Sequence, residues 1–181
     1  MAADSLGGDV STYHVEIRKD PKVFTKGEFI IGYTSSFRMG DLLQYRFVPP
    51  PLSEGSLSEY MRTTFMDAVR TCFKDGGFAQ KNNEKESGGD FIVGVRGRLF
   101  IVEDDYQVSE PLDGWAAVGS GTQIARGALF AIQKIDHLIV TRELEPCELL
   151  VVALEAAAHC SAYVRGPFHC LSTENKGAEH E

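Results

Sequence analysis

A Gly-Ser-Gly turn at residues 119–121 is the feature of the sequence that could most directly hold a charged ligand. It follows an apolar segment and precedes a helical pattern, and the N-terminus of a helix can bind a phosphate group. The dinucleotide pattern G-x-G-x-x-G fails because position 124 is Ile124, and no G-K-[ST] follows. The nucleophile elbow G-x-S-x-G also fails, because Val118 and Thr122 occupy its outer positions. A nucleotide-binding α/β protein therefore remains an alternative interpretation only.

The cysteines and histidines show no spacing typical of a metal site. The four cysteines form no C-x-x-C pair, and the five histidines form no H-E-x-x-H motif. Cys72 and Cys160 lie in apolar helical patterns, so we expect both to be reduced core residues. The sequence thus predicts no metal and no cofactor. The remaining members of the two sets are Cys147, Cys170, His14, His137, His159, His169 and His180.

Two charged residues near the start of the chain each have a simple structural interpretation. Asp4 precedes the pair Gly7-Gly8, and an aspartate in such a place commonly caps a turn. Lys22 is one of 18 lysines and arginines. Taken singly, neither residue indicates a catalytic role.

Length and charge exclude several classes of function. The chain has 181 residues and a net charge of −8, the size of one domain with an acidic surface. Nucleic acids and anionic membranes both require a basic surface, so neither is an expected partner. No apolar run is long enough to span a membrane. The residues after Met1 lack the pattern of a signal peptide, so we expect a cytoplasmic protein.

Hydrophobic periodicity predicts a chain that alternates between groups of strands and groups of helices. The expected strands lie at residues 13–17, 22–24, 28–33, 91–95, 99–102, 106–108, 115–118 and 168–171. The expected helices lie at residues 39–47, 57–75, 122–135 and from 146 onward.

Local signals mark several of these boundaries. Ser56 and Glu59 form a capping box at the start of the second helix, and Pro146 is a favoured first-turn residue of the last. The pair Arg96-Gly97 separates two apolar runs and predicts a hairpin. The polar residues 81–89 are expected to form a solvated loop.

The order strands, helices, strands, helices, strand predicts an α+β fold. Two antiparallel sheets with helices outside both would bury every apolar face, which gives a four-layer αββα sandwich. Residues 1–172 are expected to form this single domain. Residues 173–181 are polar and are expected to form a mobile tail.

Three segments, in this order, resemble the proteasome β-subunits and the bacterial HslV-type peptidase. Residues 1–5, Met-Ala-Ala-Asp-Ser, resemble the second strand of that fold, which ends in an apolar-small-small-Asp motif. Residues 22–24 and 29–35 resemble the lysine, strand and turn that follow. Residues 117–121 resemble the strand-to-helix junction I-G-S-G, and residues 94–102 fit the central hairpin. The resemblance covers residues 1–171.

The resemblance implies an N-terminal-nucleophile hydrolase that cleaves amide bonds with an N-terminal threonine. A hydroxyl is a poor nucleophile until a base removes its proton. In this family the base is the α-amine of the same residue, whose pKa is roughly 7.7–8.0 when unperturbed. A nearby lysine cation favours the neutral amine, a carboxylate holds that lysine, and backbone amides stabilise the oxyanion.

Four residues of this chain match the functional positions of the family. Lys22 matches the lysine, and Asp4 matches the carboxylate that holds it. Ser120 matches the serine that hydrogen-bonds near the amine of the threonine. Ser35 stands where the family has a glycine whose backbone N–H donates to the oxyanion, and serine retains that amide.

The family's threonine lies on a strand that precedes the one beginning here at Met1, which leaves two hypotheses open. In the first, the natural chain begins upstream with threonine, and the protein is a threonine-type peptidase subunit. In the second, the protein is a non-catalytic, proteasome-like structural subunit. For either, the resemblance implies a homo-oligomeric ring; for the peptidase it also implies a peptide or protein substrate and an ATP-dependent unfoldase partner.

Overall fold

The computed structural model describes residues 1–9, 14–52, 54–78, 80–82, 85–136 and 145–173. The strands in these residues are β1 (Ala2–Ala3), β2 (Leu6–Asp9), β3 (His14–Ile17), β4 (Val23–Lys26), β5 (Phe29–Tyr33), β6 (Gln80–Asn82), β7 (Lys85–Ser87), β8 (Phe91–Val95), β9 (Arg98–Val102), β10 (Val108–Ser109) and β11 (His169–Cys170). The helices are α1 (Phe37–Asp41), α2 (Leu57–Tyr60), α3 (Met66–Asp75), α4 (Thr122–Asp136) and α5 (Pro146–Cys160). One π-helical segment, Leu42–Arg46, extends α1, and another, Met61–Phe65, joins α2 to α3.

A five-stranded antiparallel sheet in the order β10-β9-β8-β5-β4 forms the centre of the fold. Its turns lie where the sequence predicts them. Gly27 has a φ of 61° between β4 and β5, and Arg96 and Gly97 have φ values of 48° and 72° between β8 and β9. A two-residue turn with both φ angles positive matches the twist of its strands. The predicted hairpin around Arg96 is therefore confirmed.

The two faces of this sheet carry different side chains because residues alternate along each strand. Phe29, Ile31 and Tyr33 of β5 belong to a large core that includes the buried side chains of α1–α3. Gly32 belongs to the other face. A Cβ on Gly32 would lie 2.6 Å from the sulfur of Met1. The layer that contains β1 therefore stacks closely on the five-stranded sheet.

Helices α4 and α5 form the outer layer beyond β1. Their contact uses small side chains, and the buried members of this second core are Ala125, Leu129, Ala153, Ala157 and Val164. Strand β1 pairs antiparallel with β11, so that Ala2 lies opposite Cys170. Helix α5 contacts both strands. The order helices, sheet, sheet, helices is the predicted α+β four-layer αββα sandwich.

Capping side chains set the start of the helices. The Ser56 hydroxyl accepts a hydrogen bond from the Glu59 N–H at 3.4 Å, so α2 begins where its capping motif predicts. The Ser36 hydroxyl accepts one from the Met39 N–H at 3.2 Å. This cap starts α1 at Phe37, two residues before the predicted boundary. Helix α5 begins at Pro146, as predicted.

A disulfide joins Cys147 in the first turn of α5 to Cys170 on β11, with a Cα–Cα distance of 6.0 Å. Nothing in the spacing of the cysteines predicts this pairing. Cys72 is free and partly buried against the larger core. Cys160 is free but exposed, so its prediction as a core residue is wrong. It is the last residue of α5 and lies at the end of a helix whose apolar composition does not show which side is buried.

Three expectations about strands and loops also need correction. Residues 115–118 form no strand, because Trp115 and Ala117 bury their side chains against the α4–α5 core instead of joining a sheet. Tyr106 has a φ of 67°, so β10 begins only at Val108. The supposed loop at 81–89 contains the β6–β7 hairpin.

Residue 13 and the tail at 174–181 lie outside the described residues. No helix in the described ranges has the length and apolar character that crossing a membrane requires.

Candidate active site

Lys22 and Asp4 form a largely buried ion pair between the two sheets. Lys22 immediately precedes β4, and Asp4 immediately follows β1. The Lys22 Nζ lies 2.7 Å from the Asp4 Oδ1, and their side chains are only 13% and 14% exposed. A charge-assisted hydrogen bond shielded from water is stronger than the usual surface pair. The pair therefore holds the lysine ammonium in a fixed place.

The second oxygen of Asp4 is held by backbone amides. The Leu6 N–H donates to Oδ2 at 3.1 Å, and the Arg165 N–H donates to the same atom at 3.3 Å. With Lys22 on Oδ1, both carboxylate oxygens have partners from three separate parts of the chain. Arg165 was not predicted from the sequence, because a backbone N–H contact across 161 residues leaves no side-chain pattern.

Ser120 lies in the turn that precedes α4, and its hydroxyl donates to the Tyr163 carbonyl at 3.2 Å. The preceding Gly119 has a φ of 100°, and a Cβ there would lie 2.6 Å from the Thr34 Oγ1. Only glycine fits this close approach. The Thr122 N–H donates back to the Gly119 carbonyl at 3.1 Å, so that amide is occupied within the turn.

Ser35 occupies the tight turn that follows β5. Its φ is 70°, a region that glycine adopts easily and serine rarely. The Ser36 N–H donates to the Thr34 carbonyl at 2.8 Å, and the Thr34 N–H donates to the Asp90 carbonyl at 3.3 Å. The backbone of this serine therefore has the conformation expected where a glycine is usual.

Two cavities meet at these residues. We call the first the cleft: it has a volume of about 830 Å³, and its lining includes Ser35, Asp90 and Asp104. We call the second the groove: it has a volume of about 480 Å³ and runs along residues 1–4 between β1, residues 114–122 and the helices α4 and α5. Lys22, Thr34 and Ser120 line both cavities. The structure thus brings Asp4 and Lys22 into contact and places Ser120 and Ser35 at the border of the same cleft.

The cleft also carries acidic residues that sequence reasoning missed. Burial raises the pKa of the Asp90 carboxyl, and the neighbouring Asp104 raises it further, although a backbone hydrogen bond from Asp104 opposes the effect. Nothing in the sequence around Asp90 distinguishes it from an ordinary surface aspartate. Across the described ranges, no group of three or more His, Cys, Asp or Glu side chains is arranged to hold a metal ion.

This arrangement suits chemistry on an amine. A fixed ammonium lowers the affinity of a neighbouring amine for protons, because two positive charges repel. An amine kept neutral can accept a proton from a hydroxyl close to it. Ser35 lines the cleft, and a backbone N–H in such a place could donate to an oxyanion.

Comparison with known proteins identifies the fold. The sequence matches no family model and no curated protein. The structure is similar to Thiobacillus denitrificans BPH in complex with epoxomicin, with a TM-score of 0.69 and 20% identity over 93% of this chain and 88% of that chain. It is also similar to BPH alone, with a TM-score of 0.66 and 19% identity over the same shares. Eukaryotic HslV from Trypanosoma brucei gives a TM-score of 0.60 and 15% identity over 93% of this chain and 88% of that chain. The chain therefore has the HslV and proteasome-like fold.

Proposed function

We propose that this chain forms the amide-hydrolysing site of a threonine-type peptidase subunit, with the threonine supplied upstream of Met1. The observation that carries the proposal is the buried pair of Lys22 and Asp4 at the junction of the groove and the cleft. A surface lysine needs no such pair. A lysine that must keep a neighbouring amine neutral does need one, because its charge has to stay in one place.

The groove supports this position for the nucleophile. Within the described residues, β1 pairs with β11 on one edge. The groove follows residues 1–4 and reaches Lys22, and its lining includes the apolar side chains of Leu129 and Leu150. An extended segment that entered the groove could pair with the edge of β1 opposite β11. Its first residue would then lie beside the Lys22 ammonium.

The chemistry follows from that position. The threonine Oγ attacks the carbonyl carbon of the scissile amide while its own α-amine accepts the hydroxyl proton. The Ser35 N–H donates to the oxyanion. The protonated α-amine of the threonine then passes its proton to the leaving amine as the C–N bond breaks. Water attacks the resulting ester with the amine as base, which releases the acid and restores the threonine hydroxyl.

The first test determines the intact mass and the N-terminal sequence of the protein purified from its natural source. We expect a chain that extends beyond Met1 and begins with threonine. A mature chain without an N-terminal threonine would contradict the proposal and would favour the non-catalytic, structural subunit.

The second test measures hydrolysis of small peptide amides by that natural form. Lys22→Ala should lower kcat by roughly 10²–10⁴-fold, because the amine loses the charge that keeps it neutral. Lys26→Ala is the matched control, since its Nζ donates to the Gln44 carbonyl, which lines neither the cleft nor the groove. Equal activity in the two variants would show that the site is wrongly assigned.

The fold also supports a proposal about the assembly. We infer that the subunit forms a homo-oligomeric ring that takes peptide or protein substrates, delivered by an ATP-dependent unfoldase. The cytoplasmic location inferred from the sequence stays a prediction. A reducing compartment such as the cytoplasm keeps pairs of cysteines as thiols. The disulfide between Cys147 and Cys170 therefore argues against this prediction.

A further inference from the structure

The backbone of residues 161–167, which connects α5 to β11, contacts both Asp4 and Ser120. The Arg165 N–H donates to the Asp4 Oδ2 at 3.3 Å, and the Ser120 hydroxyl donates to the Tyr163 carbonyl at 3.2 Å. Tyr163 and Arg165 are two residues apart in this segment, which thus contacts one group near the start of the chain and another in the turn before α4. The position of this segment therefore contributes to the positions of the carboxylate and the hydroxyl.

A fully buried residue fixes the segment against β1 as well. Ser5 is 0% exposed, and its N–H donates to the Arg165 carbonyl at 3.0 Å. Its hydroxyl donates to the Pro167 carbonyl at 2.6 Å. The segment therefore transmits its position directly to the residue next to Asp4.

The side chain of Arg165 fastens the segment to the end of α5. Its Nη1 lies 3.0 Å from the Ala158 carbonyl oxygen and 2.8 Å from those of Ser161 and Val164. The last carbonyls of a helix lack partners within the helix and carry partial negative charge. The two N–H groups on Nη1 share these three carbonyl oxygens, so one cation joins the end of α5 to the segment that follows it.

We propose that Arg165 is a positioning residue that acts through the backbone of residues 161–167 to hold Asp4 and Ser120 in one arrangement. This inference rests on the proposed function for its catalytic consequence. Arg165 is exposed, and Val164 beside it is buried in the α4–α5 core. Loss of the guanidinium should therefore leave the fold in place and loosen the segment locally.

The structural test needs no activity and uses the chain in its present form. NMR would follow the ¹³C resonance of the Asp4 carboxylate and the amide resonance of Leu6, which donates to it. Arg165→Ala should shift both, and Arg165→Lys, which keeps a cation that can donate to the same carbonyls, should shift them less. Arg96→Ala is the matched control, since this exposed arginine pairs with Glu28 at a distant turn. Unchanged Asp4 and Leu6 resonances in Arg165→Ala would overturn the proposal.

The catalytic test uses the natural form that begins with threonine. Arg165→Ala should lower kcat roughly ten- to hundredfold with little change in KM, because misplaced catalytic groups slow the chemistry more than they weaken binding. A normal kcat in Arg165→Ala, beside a loss in Lys22→Ala, would overturn the positioning role. Full activity in Lys22→Ala would instead defeat the proposed function, and the NMR comparison would still decide whether Arg165 positions Asp4.

Discussion

The cleft contains a carboxyl group, that of Asp90, whose pKa is raised by its surroundings, and this group is separate from the proposed nucleophile. Asp90 and Asp104 both line the cleft, and the Asp90 carbonyl also accepts the hydrogen bond from Thr34 beside Ser35. Burial is the main reason that the pKa of the Asp90 carboxyl is raised, and the charge of Asp104 adds to it. The folded chain therefore holds a proton on Asp90 more tightly than the unfolded chain does.

The consequence for stability has a definite sign. A carboxyl with a raised pKa in the folded state contributes stability that is present below about pH 3.8 and is lost as the pH rises through its folded pKa. Asp90→Asn removes this loss, so its stability relative to the wild type should rise as the pH increases from about 3.8 through the raised pKa of the folded Asp90 carboxyl. Urea denaturation at a series of pH values would measure the difference. A difference that stays constant with pH would contradict the prediction.

At the residue scale, sequence reasoning identified the side chains that match motifs and missed those that act through backbone atoms. Asp4 and Lys22 are 18 residues apart, and the structure brings them into contact. Arg165 reaches Asp4 with a backbone N–H and α5 with its guanidinium, and neither contact leaves a spacing that a sequence can show. Cys160 was misplaced for a related reason, because an apolar helix does not reveal which end leaves the core.

At the element scale, α5 joins the site to the covalent framework. Its first turn carries Cys147, which is bonded to Cys170 on β11, and its last turn accepts hydrogen bonds from Arg165. Strand β11 in turn pairs with β1, which leads to Asp4. The disulfide and the Arg165 contacts therefore restrain opposite ends of one helix against the strands that position the carboxylate.

Reduction of the disulfide should destabilise the fold. The bridge closes a loop with a sequence separation of 23 residues, and cross-links of this size contribute about 2–4 kcal/mol. Calorimetry of the chain with and without a thiol reductant should show a lower Tm after reduction. The double variant Cys147→Ser with Cys170→Ser is the control, and its Tm should not respond to reductant. An equal Tm in oxidised and reduced wild-type protein would contradict the prediction.

Element boundaries with a local chemical cause were predictable, and those set by tertiary packing were not. Ser56 and Pro146 mark helix starts because caps act within a few residues. Residues 115–118 have an apolar pattern that suits a strand, but burial against α4 and α5 satisfies those side chains without strand pairing. A pattern of apolar residues shows that a segment is buried and leaves open what buries it.

At the scale of the whole molecule, the helix layer formed by α4 and α5 exposes large apolar side chains. Phe130 and Ile135 of α4 are 54% and 53% exposed, and Val152 of α5 is 42% exposed. Exposed apolar surface of this kind favours contact with another chain. The four layers were predictable because alternating strands and two sets of helices leave few ways to bury every apolar face. No comparable rule predicts which exposed face would contact another chain.

The proposed ring makes a prediction about mass. Sedimentation equilibrium should give a mass that is a multiple of the 19.9 kDa chain. Phe130→Glu should reduce that mass, because it places a charge where the outer layer is apolar. Leu112→Glu is the control, since Leu112 is fully exposed in a loop outside that layer. A single 19.9 kDa species for the wild type at micromolar concentration would contradict the ring.

The contact between Arg165 and Asp4 has a consequence for biosynthesis. The ribosome makes Asp4 early and Arg165 161 residues later. At typical rates of elongation that interval lasts roughly ten to thirty seconds. Throughout it, the nascent polypeptide lacks the amide that completes the Asp4 carboxylate and the β11 strand that pairs with β1. A truncated translation product that ends before Arg165 therefore lacks both of these contacts with the first residues of the chain.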